Sequence, residues 1–318
     1  MMLRKFAAAV LAGTVLAAAP IAGALAQEKP QIAVLLFSRG FEFMVALDQG
    51  AQAEAEKLGV DITVLDGQSN TEVQTRQIED LLVSGVDAIV ISPNNSEEIV
   101  PAVRKANEAN VPVVAVDGVV GEGADVVSYV GFDNAAGGAT AADYLAGLGD
   151  ISEVLELQGA LGAYHAQKRG GGFNDAAKGK FEVLSRPAEW TAENAQAITA
   201  DVLTANPDVD GIFTHNDEMI RGVLAGLRQI DKAAKVGEEG HVVIVGIDGT
   251  PLALQRIRDG EQDGTVNQDP FEMGALAVRS AVAALNGETV PPQQLLPATM
   301  VTKENVDDPD LWGNRFEP

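Results

Sequence analysis

The chain contains no cysteine among its 318 residues. This absence excludes disulfide bonds, thiolate metal sites and the cysteine to which a lipoprotein anchor is attached. The core must therefore be large enough to be stable without covalent cross-links, and 318 residues suffice for two lobes of ordinary domain size.

Positive charge is also scarce. The chain has 22 Lys and Arg against 46 Asp and Glu, which gives a formal net charge of -24. Nucleic acids and anionic membranes are bound by basic patches, so this balance argues against both as partners. A hydrophobic content of 46% with 21% charged residues is typical of a globular protein.

Motifs of common enzymes are missing as well. The chain has no G-x-S-x-G elbow, no Walker loop and no G-x-G-x-x-G after its first strand. Three histidines, at positions 165, 215 and 241, lack the spacing of zinc ligands. The glycine-rich segment "RGGGF" (169–173) lies at a predicted helix start, where we interpret it as a tight packing site or turn. The sequence therefore predicts no catalytic residue, no metal and no cofactor.

The first 26 residues have the composition of a secretory signal. Arg4 and Lys5 precede a short apolar run, and "ALA" at 24–26 matches the small-residue pattern of a cleavage site. We expect cleavage before Gln27 and a soluble product in the periplasm; an uncleaved membrane anchor is the alternative. No later stretch is long and apolar enough to predict a transmembrane helix.

The remainder alternates between strands and helices. Short apolar runs rich in Val and Ile and bounded by turn residues are typical of parallel strands covered on both faces. Two successive series of such strands predict an α/β protein with two doubly wound parallel-sheet lobes. The predicted strands are 32–37, 61–66, 87–92, 111–117, 153–159, 181–186, 211–215 and 242–248, followed by a last strand-like segment, "LLPATMV".

Polar residues follow many of these strands. In doubly wound sheets, ligands bind beyond the carboxyl ends of the strands, so a cleft between the lobes should gather these side chains. Carboxylates and amides can accept hydrogen bonds from hydroxyl groups, while aromatic rings pack against the CH face of a sugar. The candidates for binding a neutral polyhydroxy compound are Asp117, Asn216, Asp248 and Gln268, with Phe41, Phe43 and Trp190 as rings.

The segment "GIFTHNDEM" (211–219) allows a different interpretation. Residues 206–217 carry Asn, Asp, Asp, Gly and Asp at calcium-loop positions one, three, five, six and twelve. A calcium loop must coil around the ion, however, whereas "GIFTH" is predicted to be an extended strand. We expect Asp217 and Glu218 to cap the following helix, which leaves Asn216 to face the cleft. Thr191 and Asn134 are the predicted N-caps of two other helices.

The chain resembles the periplasmic sugar-binding proteins of ABC transporters, in particular the ribose-binding group, from Gln31 to about Thr302. The motifs that carry the resemblance are "GAQAEAEKLGVDITVLDGQSN", "VLELQG" with "RGGGF" downstream, "LTANPDVDGIFTHNDEM" and "VVIVGIDGTP". The resemblance implies the type I periplasmic binding protein fold with a three-stranded hinge near Phe132, Gln268 and Pro297. The implied lobes are 30–132 with 269–297 and 133–268 with 298–318.

The resemblance also implies roles for individual residues. Phe43 and Trp190 match rings that pack on the sugar, and Asp117, Asn216, Asp248 and Gln268 match polar contacts. Phe41 replaces an Asn and Met44 replaces a Phe. Gly118 and Gln167 stand where the ribose binder has two arginines, so we expect Gln167 to be an eighth ligand-binding side chain. We also expect a cleft with more room, less positive charge and weak affinity for ribose.

The implied function is capture of a neutral sugar or polyol for the membrane permease of an ABC importer, by a protein that we expect to be a monomer. The alternatives are a sugar sensor feeding a signalling receptor, or an enzyme on the same fold such as a hydrolase using Asp117 and Asp248.

Overall fold

The computed structural model describes residues 29–316. The predicted signal peptide, residues 1–26, lies outside the described residues. The chain from Gln31 onward forms two consecutive series of alternating strands and helices, followed by a short mixed tail.

The first series contains five strands and three helices: β1 (Gln31–Leu36), α1 (Glu42–Leu58), β2 (Asp61–Asp66), α2 (Thr71–Ser84), β3 (Ala88–Ile91), α3 (Val100–Glu108), β4 (Val113–Val116) and β5 (Ser128–Phe132). The second contains α4 (Asn134–Gly147), β6 (Glu153–Gln158), α5 (Tyr164–Ala177), β7 (Glu182–Pro187), α6 (Ala192–Ala205), β8 (Gly211–Thr214), α7 (Glu218–Gln229), β9 (Val243–Asp248), α8 (Pro251–Asp259) and β10 (Gly264–Asn267). The tail consists of α9 (Pro270–Leu285), β11 (Gln293–Leu296), β12 (Thr299–Thr302) and α10 (Trp312–Arg315).

The strands form two six-stranded sheets, ordered β11-β5-β4-β3-β1-β2 and β12-β10-β9-β8-β6-β7. Every pairing is parallel except that of β12 with β10, which is antiparallel. The central strands are buried on both faces, as the apolar runs predict. The prediction of two doubly wound parallel-sheet lobes is therefore confirmed, with one antiparallel edge strand added and with β5 and β10 not identified from the sequence.

The chain passes between the sheets three times. It crosses after β5, returns after β10, and crosses again between β11 and β12. The segment "LLPATMV" is thus not one strand: it divides at Pro297, because proline cannot donate to a strand ladder. Movement of the lobes about these crossings, with the boundaries given above, remains a prediction.

Helix starts are set by short polar side chains. Thr191 caps α6 by accepting from the Asn194 N–H at 3.3 Å, as predicted. The predicted cap Asn134 is instead the first residue of α4, and Asp133 caps that helix by accepting from Ala136 N–H at 3.0 Å. Asn134 is therefore free for a different role, described below.

Helices α4 and α5 pack unusually closely, which sets the position of α5 at the cleft. A Cβ atom on Gly138 would lie 2.0 Å from the carbonyl oxygen of Arg169, and one on Gly172 would lie 2.0 Å from that of Ala135. Only glycine permits this approach of two backbones. The interpretation of "RGGGF" as a packing site is confirmed, and its packing brings the first turn of α5 to the cleft.

Candidate ligand-binding cleft

A cavity of about 400 Å³ lies between the lobes, beyond the carboxyl ends of both sets of strands. This is where the strand-end rule places a ligand in such sheets. The cavity is lined by Phe37, Phe41, Phe43, Met44, Pro93, Asn94, Asn95, Ser96, Asp117 and Gly118 from the first lobe, and by Ala160, Gly162, Ala163, Tyr164, His165, Arg169, Trp190, Asn216, Asp248 and Gln268 from the second.

Seven of the eight side chains predicted from the sequence line this cavity: Phe41, Phe43, Asp117, Trp190, Asn216, Asp248 and Gln268. The structure brings them together, which is compatible with their assignment to a binding site. That they contact a ligand remains a prediction.

Gln167 is the exception. Its side chain is exposed, and its Nε2 donates to the carbonyl oxygen of Leu161 at 3.0 Å. Two residues along an α-helix differ by about 200° in direction, so Gln167 and Arg169 lie on opposite faces of α5. Arg169, not Gln167, lines the cavity, so the cleft has an arginine that the sequence did not lead us to expect.

Arg169 is held firmly in this position. It is 4% exposed, its Nε donates to Asn134 Oδ1 at 2.7 Å, and its Nη1 donates to the His215 carbonyl oxygen at 2.5 Å. The guanidinium also lies over the ring of Trp190, 5.9 Å from the ring centroid. The sequence did carry a signal for this residue: Ala166, Gly170, Phe173 and Ala177 form the buried face of α5, and Arg169 belongs to the same face.

The two carboxylates of the cleft have unusual backbones. Asp117 follows β4 with φ of 61°, and Asp248 ends β9 with φ of 136°. Residues other than glycine avoid positive φ, and where they adopt it the cost is of order 1–3 kcal/mol and is often found at functional sites. Both acids are therefore fixed in direction by their surroundings.

The pKa of Asp117 lies below its ordinary value. Burial, the largest influence, raises this pKa, but the charge and hydrogen bond of His165, the charge of Arg169 and a hydrogen bond from Ser92 together outweigh it. The Ser92 hydroxyl donates to Asp117 Oδ2 at 3.4 Å, and His165 Nε2 lies 3.5 Å from Oδ1. Asp117 is therefore ionised at neutral pH and can accept hydrogen bonds from hydroxyl groups.

Asp248 behaves differently. Burial raises its pKa to about 7, despite the opposing charge of Arg169, whose Nη1 lies 3.6 Å from Asp248 Oδ1. Gln268 Nε2 donates to the same oxygen at 2.7 Å. Near neutral pH this carboxyl group can thus exist in both protonation states.

Asn216 has both of the roles that the sequence divided between Asn216 and Asp217. Asn216 lines the cavity, but its Oδ1 also accepts from the Met219 N–H at 3.1 Å and so caps α7. The fully buried Asp217 makes no capping bond to α7. Its Oδ2 instead accepts from the N–H groups of Gly249 at 2.8 Å and Thr250 at 3.0 Å, and from the Thr265 hydroxyl at 3.0 Å.

The conformation of β8 shows whether residues 206–217 can form a calcium loop. Residues Gly211–Thr214 are an extended, buried strand paired with β6 and β9, so residues 206–217 do not coil as a calcium loop must. Within residues 29–316, no three side chains of the types that bind metals converge.

His215 and Glu156 form a buried pair beneath the cavity. The Gly159 N–H donates to His215 Nδ1 at 3.3 Å, so Nε2 carries the proton and donates to Glu156 Oε1 at 2.8 Å. Burial lowers the pKa of His215, which keeps the imidazole neutral. The pair stabilises the strand end whose carbonyl oxygen accepts from Arg169.

The aromatic side chains supply flat faces on both sides. Phe43 is 9% exposed and packs edge-on against Trp312, with ring centroids 6.1 Å apart. Phe41 also lines the cavity and is 36% exposed, and its ring centroid lies 5.6 Å from that of Phe37. Trp190 adopts φ of 65°, which brings its ring over Gly159, where no side chain would fit.

Two parallel-sheet lobes with a cleft of carboxylates, amides and rings define a two-lobe solute-binding protein. The model of the periplasmic binding protein domain matches residues 32–289, and the chain belongs to that family. The protein is periplasmic, in agreement with the description of that family. Within residues 29–316, no helix combines the length and hydrophobicity needed to span a bilayer.

Among relatives, the chain is 38% identical over 303 residues to the ribose import binding protein of Escherichia coli (strain K12), covering 94% of this chain and 99% of the relative. It is 31% identical over 276 residues to the D-ribose/D-allose-binding protein of Pseudomonas aeruginosa, covering 82% and 84%.

Solved structures agree with this assignment. An ABC transporter solute-binding protein from Actinobacillus succinogenes with bound D-allose has a TM-score of 0.81 at 30% identity, covering 88% of this chain and 100% of that one. One from Bacillus halodurans with bound myo-inositol has a TM-score of 0.81 at 26% identity, covering 91% and 99%.

Proposed function

We propose that the protein captures a neutral sugar or polyol in the interlobe cleft and delivers it to the membrane permease of an ABC importer. The observation that carries the proposal is that Asp117, Asp248 and Arg169 line the same cavity as the rings of Phe43 and Trp190. Hydroxyl groups can donate to the acids and accept from the arginine, while the CH face packs on the rings. The names of the relatives, with ribose, allose and myo-inositol among their ligands, support the same class of compound.

The acids also restrict the charge of the ligand. Two carboxyl groups face one arginine that already donates to Asn134 and His215. A sugar acid or sugar phosphate would bring a further negative charge into a partly desolvated cleft without a free cation to neutralise it. The proposed ligand is therefore uncharged.

The choice among neutral sugars rests on Gly118. Relative to the ribose binder, the cleft was expected to lack two arginines. It lacks only one, because Arg169 lines the cavity. Gly118 still lines the cavity beside Asp117 without a side chain, where an arginine would project. We propose that a hexose or a polyol binds more tightly than ribose for this reason.

Thermal-shift measurements test the proposal. A ligand that binds only the folded protein adds about 2.7 kcal/mol to the free energy of unfolding at 100 times its Kd. The panel contains D-ribose, D-allose, myo-inositol, a sugar acid and a sugar phosphate. We expect shifts with neutral compounds only, and the Asp248→Ala variant as a control should lose them. A shift with an anionic sugar alone would contradict the proposal, and ribose as the tightest ligand would contradict the role of Gly118.

We further propose that the protein acts as a monomer, binds no nucleic acid and does not transform its ligand. In the described part of the chain no nucleophile with an adjacent base faces the cavity, which supports binding over turnover. Recovery of the bound sugar by mass spectrometry after long incubation tests this, and a changed mass would favour an enzyme.

A further inference from the structure

The side chain of His165 crosses the cleft. His165 lies in the first turn of α5, in the second lobe, and its Nε2 is 3.0 Å from the carbonyl oxygen of Asp117, which follows β4 in the first lobe. The same nitrogen is 3.5 Å from Asp117 Oδ1. The contact therefore joins the two lobes directly at a residue proposed to bind the ligand.

The carbonyl oxygen of Asp117 has a second partner on the other side. The Tyr129 hydroxyl, from β5 in the first lobe, donates to it at 2.8 Å. A carbonyl oxygen only accepts, so His165 Nε2 carries a hydrogen and donates. The peptide that follows Asp117 is thus held by one donor from its own lobe and one from the opposite lobe.

This peptide needs such support. Asp117 has a left-handed backbone with φ of 61°, which a residue other than glycine keeps only when its surroundings determine it strongly. Its N–H is fixed by a bond to the carbonyl oxygen of Val130 at 2.8 Å. The bonds from Tyr129 and His165 fix the carbonyl oxygen of Asp117. These three hydrogen bonds together set the direction of the Asp117 carboxylate.

The ring of His165 is itself aligned by its neighbours. The ring of Tyr164 packs edge-on against His165, with centroids 6.0 Å apart, and edge-on against Tyr129 at 6.1 Å. The side chain of His165 is 21% exposed, so it lies at the edge of the cleft and not in a lobe core. Its replacement should leave the fold of each lobe intact.

We infer that His165 is a positioning residue that couples closure of the lobes to the binding geometry of Asp117. When the lobes separate, the bond from His165 is lost while that from Tyr129 remains. Asp117 then has one support fewer, so the ligand-binding conformation is complete only in the closed protein. The inference rests on the proposed function, since it concerns how the same cleft binds a neutral sugar or polyol.

Three variants test it: His165→Ala, His165→Gln and Tyr129→Phe. Affinities for D-ribose, D-allose and myo-inositol are measured by calorimetry, the radius of gyration without ligand by small-angle X-ray scattering, and the fold by circular dichroism. Glutamine keeps an N–H donor at a similar reach, whereas alanine removes it. Tyr129→Phe removes the bond to the same oxygen without removing a contact between the lobes.

We expect His165→Ala to raise Kd about tenfold, as loss of a hydrogen bond worth about 1.4 kcal/mol would. It should also enlarge the unliganded protein on average, because the bond from His165 holds a fraction of the unliganded molecules closed. His165→Gln should restore Kd to within about threefold of the original. Tyr129→Phe should weaken binding with an unchanged radius of gyration. An unchanged Kd in His165→Ala, or a weaker Kd with an unchanged radius, would overturn the inference, because the second result means that His165 only contacts the ligand.

The two proposals fail in different ways. If the original protein binds none of the three compounds, the proposed ligand class is wrong. The comparison of unliganded radii needs no ligand, and equal radii for the original protein and His165→Ala would refute the coupling in that case too.

Discussion

At the scale of single residues, Asp248 and Asn216 offer the most direct test of the cleft. Each lies at a strand end facing the cavity, so its replacement by Ala should leave the fold intact. We expect Asp248→Ala and Asn216→Ala each to weaken sugar binding by about 2–4 kcal/mol, because ligand hydroxyls would lose their partners in a partly desolvated site. Calorimetry measures this, and an unchanged Kd in either variant would remove that residue from the site.

Arg169 and Gln167 form a matched pair on opposite faces of one helix. Arg169→Met should weaken binding by about 3 kcal/mol or more. It removes the one arginine that lines the cavity among residues 29–316, and it leaves the carboxyl group of Asp248 without its counter-charge. Gln167→Ala should leave Kd unchanged, because Gln167 is exposed and donates to Leu161. Titration calorimetry on both variants shows whether Arg169 or Gln167 contributes to ligand binding. A loss of affinity in Gln167→Ala would reinstate the assignment made from the sequence.

Asp248 also gives the protein a pH dependence of known sign. Its pKa is raised from 3.8 to about 7 in the folded protein, so the folded state takes up a proton more readily than the unfolded state. This residue therefore stabilises the fold at low pH, and its contribution is lost as the pH rises from about 4 through about 7. His215 acts in the opposite direction, because burial lowers its pKa and stability is lost as the pH falls below 6.5.

The Asp248→Asn variant isolates the first effect. Between pH 4 and 7 its free energy of unfolding should fall less, or rise more, than that of the original protein, since Asn does not titrate and His215 is common to both. Urea denaturation at several pH values measures the difference. Parallel pH profiles would show that the pKa of Asp248 is not raised on folding.

At the scale of elements, Asp217 connects the ends of β8, β9 and β10. Its carboxylate accepts from the turn at Gly249 and Thr250, directly after Asp248, and from Thr265 in β10. Burial raises the pKa of Asp217 to about 6, even though these hydrogen bonds oppose the rise. Asp217 thus fixes the turn that follows Asp248, a proposed ligand contact. Its neighbour in the chain, Asn216, is another proposed ligand contact.

Asp217→Ala should lower the free energy of unfolding by about 3 kcal/mol. The Thr250 N–H and the Thr265 hydroxyl would lose their acceptor, and the Gly249 N–H would keep only the Thr265 oxygen, 3.2 Å away. Sugar affinity should fall as well, since Asp248 would lose its fixed direction. Denaturation and calorimetry measure the two effects separately. An unchanged stability would mean that water replaces the carboxylate, and an unchanged Kd would mean that the turn keeps its shape without it.

At the scale of the whole molecule, residues from both lobes line one cavity, so a ligand that contacts both should favour the closed state. We predict that the lobes 30–132 with 269–297 and 133–268 with 298–318 move as units about the three crossings. Small-angle scattering at saturating sugar should show a smaller radius of gyration than without it. The Asp248→Ala variant at the same sugar concentration serves as a control, and equal radii for the original protein in both conditions would count against the hinge.

The sequence by itself determined the architecture and most members of the candidate site. The apolar runs predict the buried strands because a parallel strand is covered on both faces, and this signal is local. Asp117, Asn216 and Asp248 follow from the same logic, since residues at the carboxyl ends of parallel strands gather at the edge of the sheet that faces the cleft. Phe43 and Trp190 lie close enough to strand ends to be placed in the same way.

Only the tertiary structure decided which polar groups face the cavity and which hold the framework. Arg169 enters the cleft because α5 packs on α4 through glycines, and Gln167 faces solvent for the same reason. Asn216 and Asp217 are adjacent in the chain, yet one caps a helix and the other supports a turn 32 residues away. The bond between His165 and Asp117 joins residues 48 positions apart in different lobes. Such pairings depend on the distance between elements and the rotation of each helix, which the packing of the whole chain sets and no local pattern encodes.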